Sequence, residues 1–426
     1  MMTPYSAYKD SNLDWLGDIP SHWDLVKLGA CFTERNEKVS DKDFAALSVT
    51  KNGILPQMEH VAKTDAGDNR KKVCIGDFVI NSRSDRKGSS GTSDYDGSVS
   101  LISIILEPRL YEPKFAHHLL RSYNFQEEFY KYGKGIVADL WSTRYSDMKN
   151  IFVPLMPIAE QKAIATFLDR ETQRIDSLIE EKQNFIKLLK EKRQALISHV
   201  VTKGLNPNVE MQDSGIEWVG QVPKHWDVVQ IRRVGTVDQG FAFSHAYQGN
   251  SSGEVAWFKV NDMNRSGNEI EMNSSTNYVS YQLTKELKVN LFPKGTVIFP
   301  RVGAALLTNK RRLLSDDAVV DDNLFGVIPR RINPHYLYLV LTLIDMASLC
   351  SPGLVPTITF ANIKALRIPL PTEFEQQQIV ESAKANADVI DELITEASRS
   401  IDLLKERRTS LISEAVTGKI DVREAV

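Results

Sequence analysis

The segment DSNLDWLGDIPSHWD, which runs from Asp10 to Asp24, recurs as DSGIEWVGQVPKHWD from Asp213 to Asp227. Eight of the fifteen positions are identical, and these two segments, called here the tryptophan boxes, hold Trp15, Trp23, Trp218 and Trp226. A period of about 200 residues is far longer than that of solenoid repeats, so the repetition indicates duplication of a whole domain unit. We predict that the four tryptophans anchor the start of each domain, either on another part of the chain or on a partner subunit.

A second repeat lies further along the chain. LLKEKRQALISHVVTKG, from Leu188, and LLKERRTSLISEAVTGK, from Leu403, agree at ten of seventeen positions. The same offset pairs VPLMPIAEQ, from Val153, with IPLPTEFEQ, from Ile368. The order is therefore tryptophan box, variable block, proline-containing hinge and long charged segment, and then all four again.

The variable blocks are predicted to be mixed α/β. Short β-like runs, separated by Gly, Ser, Asn and Asp, are DFVINS (77–82), SVSLISIIL (98–106), GTVIFP (295–300) and AVVDDNLFGVI (318–328). Each block then contains a helical stretch led by proline, EPKFAHHLLRS from Glu112 and NPHYLYLVLTL from Asn333. Because these stretches align, we expect the two blocks to share one fold.

The charged segments are predicted to be long helices. From Ile158 to Val200 there is no Gly or Pro, and apolar residues recur at steps of three and four. The predicted seam comprises Ile164, Leu168, Ile175, Leu178, Phe185, Leu189 and Leu196 in the first helix and Ile379, Ala383, Ile390, Leu393, Ala397, Leu404 and Leu411 in the second. A lone helix would leave this apolar stripe exposed to water. The first helix leads from the first domain to the second, and the second helix must return, so it is the predicted antiparallel partner.

The predicted fold is therefore α/β (α+β), with two copies of one domain at residues 1–155 and 206–370. Two long antiparallel coiled-coil helices, at residues 156–205 and 371–426, join them with pseudo-twofold symmetry. With 42 % hydrophobic and 25 % charged residues the composition is that of a soluble globular protein. The chain shows no secretory signal, no apolar run long enough for a membrane, and no metal or redox spacing among its three cysteines, so we expect a cytoplasmic protein.

The tryptophan boxes with their Pro-x-His-Trp ending, the VPLMPIAEQ and IPLPTEFEQ segments and the two LISxxVT helix ends resemble the specificity (S) subunit of type I restriction-modification systems. The resemblance covers essentially the full length and occurs twice in the expected order. It implies that each variable block is a target-recognition domain for one half of a bipartite double-stranded DNA site. It also implies that the long helices separate these domains and dock two methyltransferase (M) subunits, with the tryptophan boxes as candidate docking residues.

Further expectations follow from the resemblance. Two unlike domains imply an asymmetric DNA site. The resemblance places S-adenosylmethionine in the M subunits, and ATP and Mg²⁺ in the restriction (R) subunits, and implies no cofactor and no catalytic site in this chain. Two alternatives remain open: the S subunit of a related non-translocating restriction system, and a protein-binding scaffold of two modules on a coiled coil.

The net charge of −3 gives no sign of nucleic-acid binding, so a DNA interface must rest on local charge. Arg can donate two hydrogen bonds to guanine, Asn suits adenine, and Lys and hydroxyl groups suit phosphates. The loop-borne candidates are Arg83, Arg86, Lys87, Ser89, Lys134, Arg144 and Tyr145 in the first domain and Asn264, Arg265, Arg301, Asn309, Lys310, Arg311, Arg312, Thr357 and Lys364 in the second. Each of these loops is also compatible with an ordinary solvated surface.

The sequence offers no catalytic motif. It has no Gly-x4-Gly-Lys-Ser/Thr phosphate loop, and INPHY, at Ile332, lacks the second proline of an Asn-Pro-Pro-Tyr tetrad. The acidic run from Asp316 to Asp322 has no regular ligand spacing, and we interpret it as turn caps or solvated carboxylates rather than a metal site. His22 and His225 lack a repeated nucleophile or carboxylate at a plausible triad spacing and are predicted to be structural hydrogen-bond partners.

Overall fold

The computed structural model describes residues 3–57, 67–135, 141–350, 353 and 355–424. The chain divides into two compact units: unit 1 is Met1–Asn184 with Ala397–Val426, and unit 2 is Phe185–Glu396. Each unit contains one variable domain and part of each long helix. The helices therefore contribute to the units instead of forming separate segments.

The helices combine two long members with several short ones. In chain order they are α1 (Leu28–Cys31), α2 (Pro113–Arg121), α3 (Tyr123–Lys131), α4 (Tyr145–Met148), α5 (Ile158–Lys203), α6 (Ile231–Val234), α7 (Tyr281–Glu286), α8 (Ala304–Leu307), α9 (Pro334–Thr342), α10 (Phe360–Ala365) and α11 (Glu373–Val416). Single 3₁₀ turns lie at Ser84–Arg86, His245–Tyr247, Val260–Asn264 and Met346–Leu349.

The strands are short and fall into two sets. Unit 1 contains β1 (Tyr8–Asp10), β2 (Asp18–Pro20), β3 (Asp24–Lys27), β4 (Phe32–Glu34), β5 (Lys38–Val39), β6 (Leu47–Thr50), β7 (Gly53–Pro56), β8 (Arg70–Val73), β9 (Phe78–Asn81), β10 (Ser90–Thr92), β11 (Gly97–Val99), β12 (Ser103–Pro108) and β13 (Phe152–Leu155). Unit 2 contains β14 (Met211–Asp213), β15 (Gln221–Pro223), β16 (Asp227–Gln230), β17 (Gly235–Gln239), β18 (Val255–Phe258), β19 (Glu271–Met272), β20 (Tyr278–Val279), β21 (Val297–Pro300), β22 (Arg312–Leu314), β23 (Ala318–Val320), β24 (Leu324–Pro329) and β25 (Arg367–Leu370).

The main sheet of unit 1 has four antiparallel strands in the order β10-β9-β12-β4. Strand β9 is buried along its whole length, which confirms the strand predicted in DFVINS. The run SVSLISIIL is instead divided between β11 and β12, because Leu101 and Ile102 lie in an exposed turn. Smaller sheets, β11-β8-β5 and β6-β7, complete the variable block.

The main sheet of unit 2 has five strands in the order β17-β24-β21-β22-β19, with only β19 and β22 parallel. Its β17-β24-β21 part has the same antiparallel pairing as β4-β12-β9 of unit 1. The run AVVDDNLFGVI is divided into β23 and β24 by a turn after Val320. The two diverged blocks therefore share a fold, as predicted, although each has additions of its own.

The predicted proline-led helices are α2 and α9, and they begin in the same way. Pro113 and Pro334 occupy the first turn, where the missing N–H costs no hydrogen bond. The side chain of Glu112 accepts a hydrogen bond from the N–H of Phe115, and Asn333 accepts from the N–H of Tyr336. These caps satisfy backbone donors that a helix cannot satisfy internally.

The glutamine of the Glu-Gln dipeptide has the same structural role in both hinges. The buried side chain of Gln161, near the start of α5, accepts a hydrogen bond from the N–H of Glu112 at 2.9 Å. In unit 2 the buried Gln376 accepts from the N–H of Asn333 at 2.8 Å. Each glutamine therefore fastens the start of a domain helix to the start of a long helix.

The long helices run antiparallel within each unit. In unit 1, Glu160 at the start of α5 and Arg423 beyond the end of α11 both contact Tyr5, and Arg408 pairs with Asp176 at 2.9 Å further along. In unit 2, the start of α11 and Gly204 just after α5 meet at Trp226, and Arg193 pairs with Asp391. These contacts confirm that the two helices are partners.

Most residues of the predicted seam are buried or partly buried, with three exceptions. Buried seam residues are Ile164, Leu168, Ile175 and Leu189 in α5 and Ile379, Ala383, Ile390, Ala397 and Leu411 in α11. Leu196 and Leu404 are partly buried. The predictions of Leu178, Phe185 and Leu393 are wrong, since these side chains are 36 %, 47 % and 40 % exposed. At each of these places an adjacent isoleucine, Ile179, Ile186 or Ile394, is the less exposed of the two.

Candidate DNA interface

In unit 1 the two candidate loops lie side by side. The loop after β9 meets the loop before α4 through a bridge between Arg83 and Ser142. The N–H of Thr143 donates to the carbonyl of Ser82 at 3.0 Å, and the N–H of Ser84 donates to the carbonyl of Trp141 at 2.8 Å. These two segments, Ser82–Ser89 and Trp141–Tyr145 together with Lys134, form what we call the unit 1 two-loop surface. Residues 136–140 of the second loop lie outside the described residues.

The cations of this surface are accessible, but acids neutralise most of them. Arg86, Lys87, Lys134 and Arg144 are exposed, and Arg83 is half-buried. Asp85 pairs with Arg83 at 3.0 Å and lies 3.8 Å from Arg86. Glu127 pairs with Lys87, and Asp147 pairs with Lys134 at 3.0 Å. DNA phosphates would have to compete with these carboxylates for the same cations.

Two candidates of unit 1 are less accessible than these cations. Ser89 is 5 % exposed and its N–H donates to the carbonyl of Arg86, so it shapes the loop. Tyr145 is partly buried against the hydrophobic core, and burial is the main cause that raises the pKa of its hydroxyl. The prediction of Ser89 as a DNA contact is therefore corrected, because its side chain is buried, and that of Tyr145 stays a prediction.

The corresponding loops of unit 2 are joined in the same way. The N–H of Gly303 donates to the carbonyl of Pro356 at 2.8 Å, and the N–H of Ile358 donates to the carbonyl of Arg301 at 2.9 Å. A bridge between Val302 and Thr357 completes the pairing. We call the segments Arg301–Gly303 and Pro356–Ile358, with Lys364, the unit 2 two-loop surface. Residues 351, 352 and 354, which precede the second of these segments, lie outside the described residues.

Of the two cations of this second surface, Arg301 has the larger number of side-chain contacts. Its Nη1 donates to Oε1 of Gln239 at 2.6 Å, and its guanidinium carbon lies 5.2 Å from the ring centre of the buried Phe325. Lys364 is exposed, with its ammonium 5.3 Å from the ring centre of Phe360. Thr357 is partly buried, and its hydroxyl donates to the carbonyl of Val355 at 3.2 Å.

The TNKRR cluster, residues 308–312, mainly stabilises the fold of unit 2. Arg311 is 2 % exposed, and its guanidinium donates to the backbone carbonyls of Asn309 and Ile344. The guanidinium of Arg312 donates to the carbonyls of Arg311 and Met263 at 2.7 and 2.9 Å. Burial lowers the pKa of Arg311 to about 10. The predictions of Arg311 and Arg312 as DNA contacts are therefore corrected, because their donors are already used inside the unit.

The other two residues of this cluster have separate roles. Asn309 adopts a left-handed backbone, with φ of 54°, and its side chain donates to Asp345 at 3.0 Å and accepts from the N–H of Met346. The side chain of Asn309 therefore stabilises a turn, and the residue is exposed to solvent. Lys310 donates to the side chain of Asn264 and so joins the third candidate loop.

That third loop, around residues 260–268, is held by the hydrogen bonds of buried polar side chains. Asn268 is fully buried, donates to the carbonyls of Asp262 and Ser274, and accepts from the N–H of Asn273. Asn264 and Arg265 are consequently presented on an ordered, exposed turn. Sequence patterns give no sign of this arrangement, since the amide is one of several similar polar residues.

Residues 223–398 match the family model described as the type I restriction modification DNA specificity domain. The putative type I restriction enzyme MjaX specificity subunit of Methanocaldococcus jannaschii is 22 % identical over 98 % of both chains. The EcoBI specificity subunit of Escherichia coli is 23 % identical over 64 % of this chain and 59 % of its own. This chain resembles the type I specificity subunits. The motifs quoted above indicated the same resemblance, which is thereby confirmed.

Solved structures agree in fold. A chain from a study of complex assembly and conformational transition of the type I R-M system superposes with a TM-score of 0.73, at 15 % identity, over 93 % of this chain and 98 % of its own. The HsdS subunit from Thermoanaerobacter tengcongensis gives a TM-score of 0.56, at 16 % identity, over 94 % and 98 %. These likenesses confirm the fold class shared with specificity subunits.

The tryptophan boxes, which carry part of the resemblance to specificity subunits, are turned inward. Trp15, Trp23 and Trp226 are buried, and Trp218 packs against the core of unit 2. Buried rings offer no surface to an M subunit, so the docking prediction is corrected for these three residues. The alternative, packing on the rest of the chain, is what the structure has.

Each box clamps the first turn of a long helix through one glutamate. Glu160 accepts hydrogen bonds from Nε1 of Trp23 at 2.9 Å and from the hydroxyl of Tyr5 at 2.8 Å, and Nε2 of His22 lies 2.9 Å from its other oxygen. In unit 2, Glu375 is contacted by Nε1 of Trp226 at 3.2 Å and by Nε2 of His225 at 2.8 Å. The two histidines are thus structural partners, as predicted.

The described residues contain no candidate metal site. No group of three or more His, Cys, Asp or Glu side chains suited to a metal ion is present among them. Asp317 and Asp321 accept hydrogen bonds from the N–H groups of Lys294 and Asn323, in keeping with the interpretation of the acidic run as turn caps. None of the helices in the described ranges has the length and apolar content of a membrane span.

Proposed function

We propose that this chain is the DNA-binding specificity subunit of a type I restriction-modification complex. Each unit binds one half of an asymmetric, bipartite double-stranded DNA site through its two-loop surface. The long helices set the distance between the half-sites and dock two M subunits, and R subunits complete the complex. The chain itself supplies recognition and no catalytic step.

The observation that carries this proposal is a common backbone with different side chains. In both units the strand that corresponds to β9 or β21 ends in a loop that pairs with the segment before a short helix. Unit 1 displays Arg86, Lys134 and Arg144 there, whereas unit 2 displays Arg301 and Lys364. A fixed backbone with exchangeable side chains is what recognition of two different base sequences requires.

The most direct experiment is methylome sequencing of a host that carries the M gene with and without the gene for this chain. We expect modified bases in one two-part motif only when this chain is present. Modification that is independent of the chain, or a single undivided motif, would contradict the proposal. The Arg83→Ala and Arg301→Ala variants serve as internal controls, because each should relax one half of the motif and leave the other half unchanged.

A second experiment separates DNA recognition from a protein scaffold. The complex of this chain with M subunits should bind duplex DNA with an affinity that falls linearly with salt on logarithmic axes, because phosphate contacts release counterions. The purified chain alone should neither methylate nor cleave DNA. Absence of DNA binding at any salt concentration would favour the scaffold instead.

A further inference from the structure

We propose that Arg301 contacts a guanine in the half-site bound by unit 2, and that Gln239 is the positioning residue that aims its guanidinium. This inference rests on the proposed function and adds to it the base type, the side chain that contacts that base, and a residue that acts through Arg301. The arginines of unit 2 differ in the acceptors that their guanidinium groups contact.

The backbone of Arg301 is held on both sides. Its N–H donates to the carbonyl of Asn323 at 3.0 Å, and its carbonyl accepts from the N–H of Ile358 at 2.9 Å. The residue therefore lies at the junction of the sheet with the two-loop surface. Few backbone rotations remain that could move its side chain.

The side chain is ordered by an aromatic platform. The guanidinium carbon is 5.2 Å from the ring centre of Phe325, which is 1 % exposed. The ring of Phe325 lies 4.6 Å from that of Phe360, on which Lys364 rests. Stacking of a planar guanidinium on an aromatic ring is favourable and restricts its rotation.

Gln239 fixes the remaining freedom. Its Oε1 accepts from Nη1 of Arg301 at 2.6 Å, while its Nε2 donates to the carbonyl of Asp322 at 3.3 Å. Since a guanidinium only donates, the amide oxygen must face Arg301, and the amide nitrogen is engaged elsewhere. The contact leaves the positive charge in place, because the partner is neutral.

Arg301 keeps a terminal nitrogen that its neighbours have spent, while its Nε is buried without a hydrogen-bond partner among the described residues. Arg311 and Arg312 use both terminal nitrogens on backbone carbonyls. Within the described residues, Nη2 of Arg301 has no acceptor, and Arg301 forms no ion pair. Guanine presents two adjacent acceptors, O6 and N7, in the major groove, and a pre-ordered arginine matches that pair.

The experiment uses the complex with M subunits and the duplex motif obtained by methylome sequencing. Each guanine of the second half-site is replaced in turn by 7-deazaguanine, which lacks the N7 acceptor, and the dissociation constant is measured. We expect one position at which this replacement weakens wild-type binding by about tenfold. Arg301→Ala should weaken binding to the unmodified duplex and abolish the difference at that position.

Gln239 is tested by two substitutions of similar size. Gln239→Leu removes the acceptor and should reduce the discrimination at that single guanine to about threefold or less, with little change in affinity for the 7-deazaguanine duplex. Gln239→Glu retains an acceptor in the same place but adds a negative charge beside Arg301, so it should keep the discrimination between the two duplexes while weakening binding to both. Gln282→Leu, an exposed glutamine of α7 in the same unit, is the matched control and should leave binding unchanged.

The possible results are distinct. Undiminished discrimination in Gln239→Leu, or an equal loss on both duplexes, would remove the positioning role. Discrimination that survives Arg301→Ala, or a second half-site without guanine on either strand, would overturn the base assignment. A wild-type complex that binds no DNA would instead refute the proposed function, and unchanged hydrogen exchange in unit 2 shows whether each variant is folded.

Discussion

The glutamates at the start of the long helices differ in one respect that can be measured. The side chain of Glu160 is 5 % exposed, whereas that of Glu375 is 29 % exposed. Both accept a tryptophan N–H and contact a histidine, and each has a further donor, which is the hydroxyl of Tyr5 for Glu160 and Thr372 for Glu375. Buried donors cannot turn to water when their acceptor is removed.

We therefore predict that Glu160→Ala destabilises unit 1 by about 1–3 kcal/mol, because Trp23 and Tyr5 lose a buried acceptor. Glu375→Ala should cost unit 2 only about 1 kcal/mol or less, because water can replace the carboxylate there. Hydrogen exchange in each unit is the measurement, since it follows local and global opening separately. Equal losses in the two units would contradict the role given to burial.

Hydrogen bonds also make the contribution of Glu375 dependent on pH. Burial alone would raise the pKa of this carboxyl, but hydrogen bonds from His225, Thr372 and Trp226 lower it below its ordinary value. A carboxyl with a depressed pKa stabilises the folded state above its unfolded pKa of about 4.3 and loses that contribution as the pH falls. The contribution of Glu375 to stability is therefore fully present near neutrality, and it changes with pH only in the acid range.

His117 should dominate a different pH range. Burial first, and then the charge of Arg121, lower the pKa of His117 to about 3 from its ordinary 6.5. The neutral ring is thus favoured in the folded protein, so stability should be complete above pH 6.5 and fall as the pH drops from 6.5 towards 3. His117→Asn retains an acceptor for the N–H of Thr92 and does not titrate.

The measurement for His117 is hydrogen exchange of unit 1 at several pH values. The stability difference between wild type and His117→Asn should shift in favour of the variant as the pH falls through this range. A difference that stays constant from pH 7 to pH 4 would show that the ring is not held neutral by the fold.

Asp85 offers a prediction about DNA specificity at the same scale. It pairs with Arg83 and lies close to Arg86, so it lowers the attraction of the unit 1 two-loop surface for any phosphate backbone. Asp85→Asn should raise the affinity of the complex for unrelated DNA and steepen its salt dependence by up to about two counterions. Asp402→Asn, which removes a comparable exposed partner of Lys405 on α11, is the control and should have little effect.

At the scale of elements, the seam of the long helices shows what local sequence determines. Both long helices lack Gly and Pro, which allows them to continue without a break. The glycines at 204 and 418, with positive φ, follow the ends of α5 and α11. The caps of α2 and α9 are also local, and they were predictable for that reason. The apolar period fits Leu393 and also Ile394 beside it, and only tertiary packing decides between two adjacent apolar residues.

This correction can be tested with a matched pair of substitutions in α11. Ile390→Ala should destabilise unit 2 by about 2–4 kcal/mol, since it removes a buried side chain from the seam. Leu393→Ala should change stability by about 0.5 kcal/mol or less, because that side chain is already exposed. Hydrogen exchange of unit 2 measures both losses, and comparable losses in the two variants would show that Leu393 belongs to the seam after all.

The candidate interface was less predictable than the helices. The sequence identified which loops carry cations, but the pairing of residues 83 and 142 is long-range, and so are the carbonyls that bind Arg311 and Arg312. Local charge does not distinguish an arginine that reaches solvent from one that reaches a backbone carbonyl. Gln239 escaped notice for the same reason, since it lies 62 residues before the arginine that it contacts.

At the scale of the whole molecule, the proposed role of the helices as a spacer leads to a quantitative prediction. One heptad added to both α5 and α11 preserves the seam and lengthens each helix by about 10 Å, which corresponds to about three base pairs. The motif obtained by methylome sequencing should then contain a longer spacer with the same half-sites. An insertion of seven residues into an exposed loop provides the control, and an unchanged spacer in the heptad variant would remove the spacer role.

The division of the chain into units also bears on the order in which a ribosome can complete them. Unit 1 begins at the N-terminus, yet its hydrophobic core includes Leu411, Ala415, Val416 and Val422. Unit 2 needs nothing beyond Glu396. The domain whose synthesis starts first is therefore the one that is finished last, because its core lacks Leu411, Ala415, Val416 and Val422 until residues 397–426 have been made.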